Sequence, residues 1–196
     1  MDVSQTLYCG HYNNKQQILL VGEGDFSFSL CLARAFGSST NITATSLDTR
    51  DELGLKYKDA KNNVEELERL GCTVVHGVNV HSMNTDYRVV RSDLYDRIII
   101  NFPHQEVVRG FLRSGKEMVK DFTGDIHVTH KTAYPFASWN IKDLGSEIGL
   151  FNRKMEFEPL QYPGYSNKRG SGSDYDSSFP VGEFSTFMFR KQWFSC

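Results

Sequence analysis

The sequence predicts an α/β fold, a mostly parallel sheet with helices on both faces, and three observations predict it. Ile18–Val21 is a short apolar run that leads straight into Gly22-Glu23-Gly24. The chain leaves that turn in a segment with helical spacing, Phe28, Leu32, Ala35 and Phe36. Further strand-like runs then alternate with amphipathic stretches, the pattern of βαβ units.

The first unit is a buried strand, a glycine turn and a helix. Glycines let the backbone approach a ligand closely, and a helix N-terminus offers free amides. A second run, Ile42–Leu47, ends at Asp48, 24 residues after Gly24. An acidic residue at that distance accepts hydrogen bonds from ribose hydroxyls; the competing role is capping the next helix, with Thr49 and Asp51. Residues 51–70 read as that helix, with Leu53, Tyr57, Ala60, Val64 and Leu67 as its apolar side and Gly71 as its stop. A third strand, Cys72–Val78, ends at Asn79-Val80, where the adenine edge of a nucleotide is met.

The third glycine of a dinucleotide fingerprint is missing, and Ser27 stands in its place. Its loss is tolerable if the ligand is a nucleoside without phosphates, a description that fits S-adenosylmethionine. The fourth apolar strand, Arg97–Ile100, terminates in Asn101-Phe102-Pro103-His104 at the carboxyl edge, where ligands bind in doubly wound sheets. An (Asn/Asp)-Pro-Pro-aromatic tetrad occupies this place in amino-group methyltransferases, where it aligns a planar nitrogen with the methyl donor. The present tetrad differs from it but offers similar groups.

Val21-Gly-Glu-Gly-Asp-Phe-Ser-Phe28, Asn101–His104 and Tyr162-Pro-Gly-Tyr-Ser-Asn-Lys-Arg-Gly170 together resemble the 25S rRNA uridine-N3 methyltransferase-like family, over roughly residues 16–191. The resemblance implies a Rossmann-like class I methyltransferase: a seven-stranded, mostly parallel sheet with an antiparallel last hairpin and helices on both faces. It implies S-adenosylmethionine as cofactor, held by Gly22, Glu23, Gly24, Asp25, Phe26, Ser27 and Phe28 with Asp48, Asn79 and Val80. It implies methyl transfer to N3 of a uridine in large-subunit rRNA at Asn101, Phe102, Pro103 and His104, and a nuclear or nucleolar setting; without the resemblance the expected setting is cytoplasmic. Two other readings stay open: a methyltransferase-like adaptor without catalysis, and an enzyme acting on tRNA or a small molecule.

The rest of the chain follows the same plan. Arg109, Arg113, Lys116 and Lys120 share a predicted helix with Val108, Phe111, Leu112 and Val119; they form either a solvated face or an RNA-binding one. A fifth strand is expected over 125–130, a helix over 137–149, and late strands over 152–160 and 184–190. Residues 164–182, rich in Gly, Ser, Asp and Tyr, read as a long mobile loop. At its start Tyr162 and Tyr165 could stack on a flipped base while Lys168 and Arg169 meet phosphate. Residues 1–15 read as an extension and 192–196 as a tail.

Uridine N3 must lose its proton to attack a methyl group. His104 is the first candidate base, because histidine is the side chain that exchanges a proton most readily near neutral pH; Asn101 would orient the imide edge, and His130 and Lys131 are the second choice. Composition is that of one globular domain: 196 residues, 39% hydrophobic and 23% charged. A net charge of −2 argues against a broad RNA-binding surface, so positive charge must be local or supplied by a partner. No apolar run is long enough to span a membrane. Cys9, Cys31, Cys72 and Cys196 lack metal or disulfide spacing and read as reduced thiols, and no metal site is expected.

Overall fold

A seven-stranded sheet whose central strands carry apolar residues on both faces sets the architecture. In the computed structural model, which describes residues 5–170, 172–180 and 182–192, an N-terminal hairpin of β1 (Tyr8–Cys9) and β2 (Tyr12–Asn13) precedes it. There follow β3 (Ile18–Leu20), α1 (Ser27–Phe36), β4 (Ile42–Ser46), α2 (Arg50–Lys56), α3 (Ala60–Arg69) and β5 (Thr73–His76). The second half holds β6 (Arg97–Asn101), α4 (Gln105–Met118), β7 (Asp125–Lys131), α5 (Ile141–Glu147), β8 (Leu150–Met155) and β9 (Phe184–Lys191). The strand order is β5-β4-β3-β6-β7-β9-β8, and β9 runs antiparallel to both its neighbours.

Strand side chains alternate with a period of two, so each central strand feeds two cores. Ile18, Leu20 and Ile99 meet Phe28, Leu32, Val64 and Leu67 on one face. Leu19, Val21, Ile98 and Ile100 meet Val108, Phe111 and Leu112 on the other. Burial on both faces is why these strands read as continuous apolar runs.

Five local expectations change. The helix over 51–70 is two helices: Tyr57 ends α2 in an extended conformation (φ −128°, ψ 118°) and turns its ring inward, 2% exposed. All five positions of the predicted apolar side are buried nonetheless, because the bend keeps one face toward the sheet. On α1, Ala33 is buried and Ala35 faces solvent. The helix expected over 137–149 is a short 3-10 turn, Phe136–Trp139, followed by α5, separated by Asn140 at φ 48°. The strand expected over 152–160 begins at Leu150 and ends at Met155; beyond it Phe157 enters the core and Leu160 is exposed. The expected N-terminal extension is part of the domain: Cys9 and Tyr12 are buried, and the Tyr12 hydroxyl lies 2.9 Å from His127 Nδ1. In the expected tail, 193–196 lie outside the described residues, as do Ser171 and Val181 of the late loop.

Candidate active site

A cavity of about 560 Å3 opens at the carboxyl edge of β3, β4, β5 and β6. The chain connects outward in opposite directions from β3 and β6, and that divergence leaves a crevice above the sheet.

Gly22 and Gly24 form the floor for different reasons. Gly22 sits at φ 70°, a backbone conformation that side chains disfavour. Gly24 has no such need, but a Cβ there would lie 3.3 Å from the Tyr57 ring. Between them the Glu23 amide donates to the Thr45 carbonyl at 2.8 Å. The Glu23 carboxyl, buried beside the cavity, accepts from the Ser29 hydroxyl at 2.6 Å and amide at 3.1 Å, and burial pushes its pKa up to about 7. Burial also raises the Asp25 carboxyl, which accepts from the Ser27 amide at 3.0 Å.

Asp48 lies on the opposite rim. Thr49 caps α2 and forms a capping box with Glu52, so the capping role belongs to Thr49 and Asp48 is left to the cavity, paired with Lys56. At the end of the next strand segment Asn79 and Val80 line the wall, where Asn79 Oδ1 accepts from the His81 amide at 2.9 Å.

The tetrad closes the other side. Asn101 ends β6, lines the cavity, and both polar atoms of its side chain are buried without a hydrogen-bond partner. Such atoms are costly unless a ligand satisfies them. Phe102 takes φ 49° while its amide donates to the Thr129 carbonyl at 2.8 Å, and this kink turns the chain off the sheet. Pro103 is buried, and exposed His104 stands just before the first turn of α4, at the cavity edge. His130, the second-choice base, lies outside the wall: buried, it stacks on Trp139 at 4.1 Å, and burial lowers its pKa to about 4. The Lys131 ammonium also turns away, resting over the Phe136 and Phe179 rings.

From the late segment Tyr165, Lys168 and Arg169 line the cavity. Lys168 is drawn inward, its ammonium 2.9 Å from Asp176 and 3.9 Å from Asp25, which ties it to carboxylates rather than leaving it for phosphate. Ser166 and Ser27 exchange hydrogen bonds: the Ser166 amide donates to the Ser27 hydroxyl at 3.0 Å, and that hydroxyl donates to the Ser166 carbonyl at 3.3 Å. Three expected site residues are elsewhere. Tyr162 is 2% exposed, stacked on Phe157 at 4.7 Å, so its ring is core and unavailable to a base. Phe26 is buried edge-on to His76, and Ser27 serves the loop contact rather than the cavity wall. Sequence reasoning missed Lys56, Tyr57, His81 and Asn167, all of which line the cavity.

The basic set on α4 is largely engaged within the fold. Arg109 pairs with Glu147 at 2.6 Å, Lys116 donates to the Ile148 carbonyl at 2.6 Å, and Lys120, just past the helix, meets Asp96 at 3.0 Å. Arg113 is exposed. Among the described residues there is no cluster that could hold a metal ion, and no helix is long and apolar enough to cross a membrane.

Residues 19–169 match the model of a family described as rRNA (uridine-N3-)-methyltransferase, BMT5-like. The uncharacterized protein At4g26485 of Arabidopsis thaliana is 50% identical over 97% of this chain and all of its own length. Heavy metal-associated isoprenylated plant protein 41 of the same organism is 41% identical over 96% of this chain, which spans 40% of that protein. Among solved structures, a TehB-like SAM-dependent methyltransferase from Corynebacterium glutamicum superposes with a TM-score of 0.53 at 16% identity, covering 90% of this chain and 80% of that one. The ribosomal protein L11 methylase of Lactobacillus delbrueckii gives 0.55 at 14% identity, over 90% and 71%. These structures share the fold with the present chain.

Proposed function

The chain belongs to the BMT5-like family, and from that premise we propose that it is an S-adenosylmethionine-dependent RNA methyltransferase that modifies N3 of a uridine in large-subunit rRNA. The observation that carries this reading is the Asn101 side-chain amide, buried at the cavity wall with both its donor and its acceptor unsatisfied. That pair of groups is complementary to the imide edge of uridine, which alternates carbonyl, N–H and carbonyl.

The residues present fit the cofactor. Gly22 and Gly24 leave the strand end bare, Asp48 offers a carboxylate for hydroxyl groups, and Asn79 and Val80 suit an adenine edge. When bound, S-adenosylmethionine supplies a methyl group on a positively charged sulfur. The protein's own work is then positioning and proton transfer. Asn101 holds the imide by donating its NH2 to a carbonyl oxygen that flanks N3, which leaves N3–H free to lose its proton and N3 open in the plane of the base. The kink at Phe102 and the rigid Pro103 fix that orientation, and alignment of this kind contributes strongly to rate. His104 at the solvent edge takes the N3 proton on a ring nitrogen and passes it to water.

Replacing Asn101 by Ala should reduce methyl transfer by about 100-fold or more while S-adenosylmethionine affinity stays within a few-fold of wild type. The assay is nucleoside mass spectrometry of rRNA fragments after incubation with the cofactor. Accumulation of 3-methyluridine supports the proposal. A methyl group on another atom, or full activity in Asn101→Ala, overturns it.

A further inference from the structure

The cavity uses the β5–β4–β3 half of the carboxyl edge and stops at β6; over β7 and β9 the same edge carries a different surface. Asn101 of β6 is in register with Thr129 of β7, which sets Lys131 two residues further along, and β9 begins opposite Lys131 at Phe184. The Phe102 ring leaves the tetrad to meet Phe179 at 5.4 Å, nearly perpendicular. Asn167, part of the cavity wall, donates its amide to the Phe179 carbonyl at 2.7 Å and binds this segment to the rim. The Lys131 ammonium lies 4.5 Å from the Phe179 ring centre and 5.0 Å from that of Phe136, and donates to the Pro180 carbonyl at 3.0 Å. Among the described residues no carboxylate pairs with it, in contrast to Arg109 and Lys120. Phe136 and Phe179 are both partly exposed.

We infer that this Phe179–Lys131–Phe136 cluster, continuous with the cavity through Phe102, seats single-stranded RNA beside the methyl-accepting uridine: a flanking base stacks on Phe179 and Lys131 meets the adjoining phosphate. The inference rests on the RNA-methyltransferase reading above. Its physical basis is that aromatic faces bind unstacked bases regardless of sequence, and that a cation held among them adds phosphate attraction. A net charge of −2 makes such local recognition necessary. It also relocates the stacking surface from Tyr162, which is core, to rings that solvent can reach.

The test is fluorescence anisotropy of a labelled single-stranded oligouridine of about 12 nucleotides against the full chain, repeated across salt concentrations. Phe179→Ala should weaken binding about tenfold or more, and Phe179→Trp should retain it. Lys131→Met should make the dependence of log affinity on log salt shallower by about 0.7. Titration with S-adenosylmethionine and thermal melting verify that each variant is folded. If the wild type binds oligouridine and both Phe179→Ala and Lys131→Met bind it equally well, this inference is overturned while the RNA reading stands. If the wild type binds the cofactor but no oligouridine, the RNA reading falls and the cluster's role with it.

Discussion

Glu23 is the residue whose chemistry most directly links the glycine turn to stability. Its carboxyl is held near 7 against an ordinary value of 4.5, chiefly by burial. The folded chain therefore keeps this proton more tightly than the unfolded chain does. The contribution is fully present below about pH 4.5 and is lost as pH rises through 7, a span worth about 3 kcal/mol. The buried imidazoles act in the opposite sense. His127, lowered to about 3, and His130, lowered to about 4, contribute above about 6.5 and lose that contribution as pH falls. Subtracting wild type from Glu23→Gln cancels the histidines. Glutamine still accepts from Ser29 but has no proton to lose, so chemical denaturation should show the variant gaining on wild type between pH 5 and 7.5. A difference that does not change with pH would contradict the buried, protonated carboxyl. At this scale most of the cavity lining was legible, because the residues that face the cavity follow strand ends and the motifs mark those ends. The exceptions have physical causes. Phe26, Ser27 and Tyr162 belong to contiguous motifs whose neighbours alternate between cavity and core. Tyr57 carries the spacing of a helical core residue, and only the bend after it turns its ring against Gly24.

At the level of elements, packing distances decide which glycines are structural. A Cβ at Gly145 of α5 would lie 2.2 Å from the Phe189 ring of β9, so α5 rests flush on the sheet only because that side chain is absent. Gly145→Val should cost about 1–3 kcal/mol or more in urea denaturation, from overpacking. Gly54 in α2 has nothing within 4 Å of its would-be Cβ, and Gly54→Ala should stabilise by about 0.5–1 kcal/mol. Equal effects of the two substitutions would contradict the packing described. Periodicity located the central strands β3, β6 and β7, since two-faced burial imposes continuous apolar runs, and it misplaced the bounds of the edge strand β8, whose Phe151, Arg153 and Lys154 are exposed. It could not see the break between α2 and α3, because a bend that keeps the same face inward leaves the 3.6-residue spacing intact. Nor could it find β1 and β2, whose two-residue strands are too short to carry any period; their anchoring is tertiary, through Cys9 and Tyr12.

For the whole molecule, strand order is what turns scattered motifs into one site. The glycine turn, Asp48, Asn79 and Asn101 are separated by up to 79 positions in sequence, yet parallel strands deliver all four to a single edge. On the other side of the site the chain between β8 and the antiparallel β9 returns over the sheet edge, so that residues 165–170 close the cavity and Phe179 reaches its rim. The central claim is that this cavity is a nucleoside-cofactor site built on a bare glycine floor. Isothermal titration of the chain with S-adenosylmethionine and, separately, NAD tests it most directly, alongside Gly24→Val, whose side chain would press on Tyr57. The account predicts 1:1 binding of S-adenosylmethionine, none of NAD, and loss of binding in a folded Gly24→Val variant. Binding of NAD in its place, no binding of either, or normal binding by Gly24→Val would contradict it.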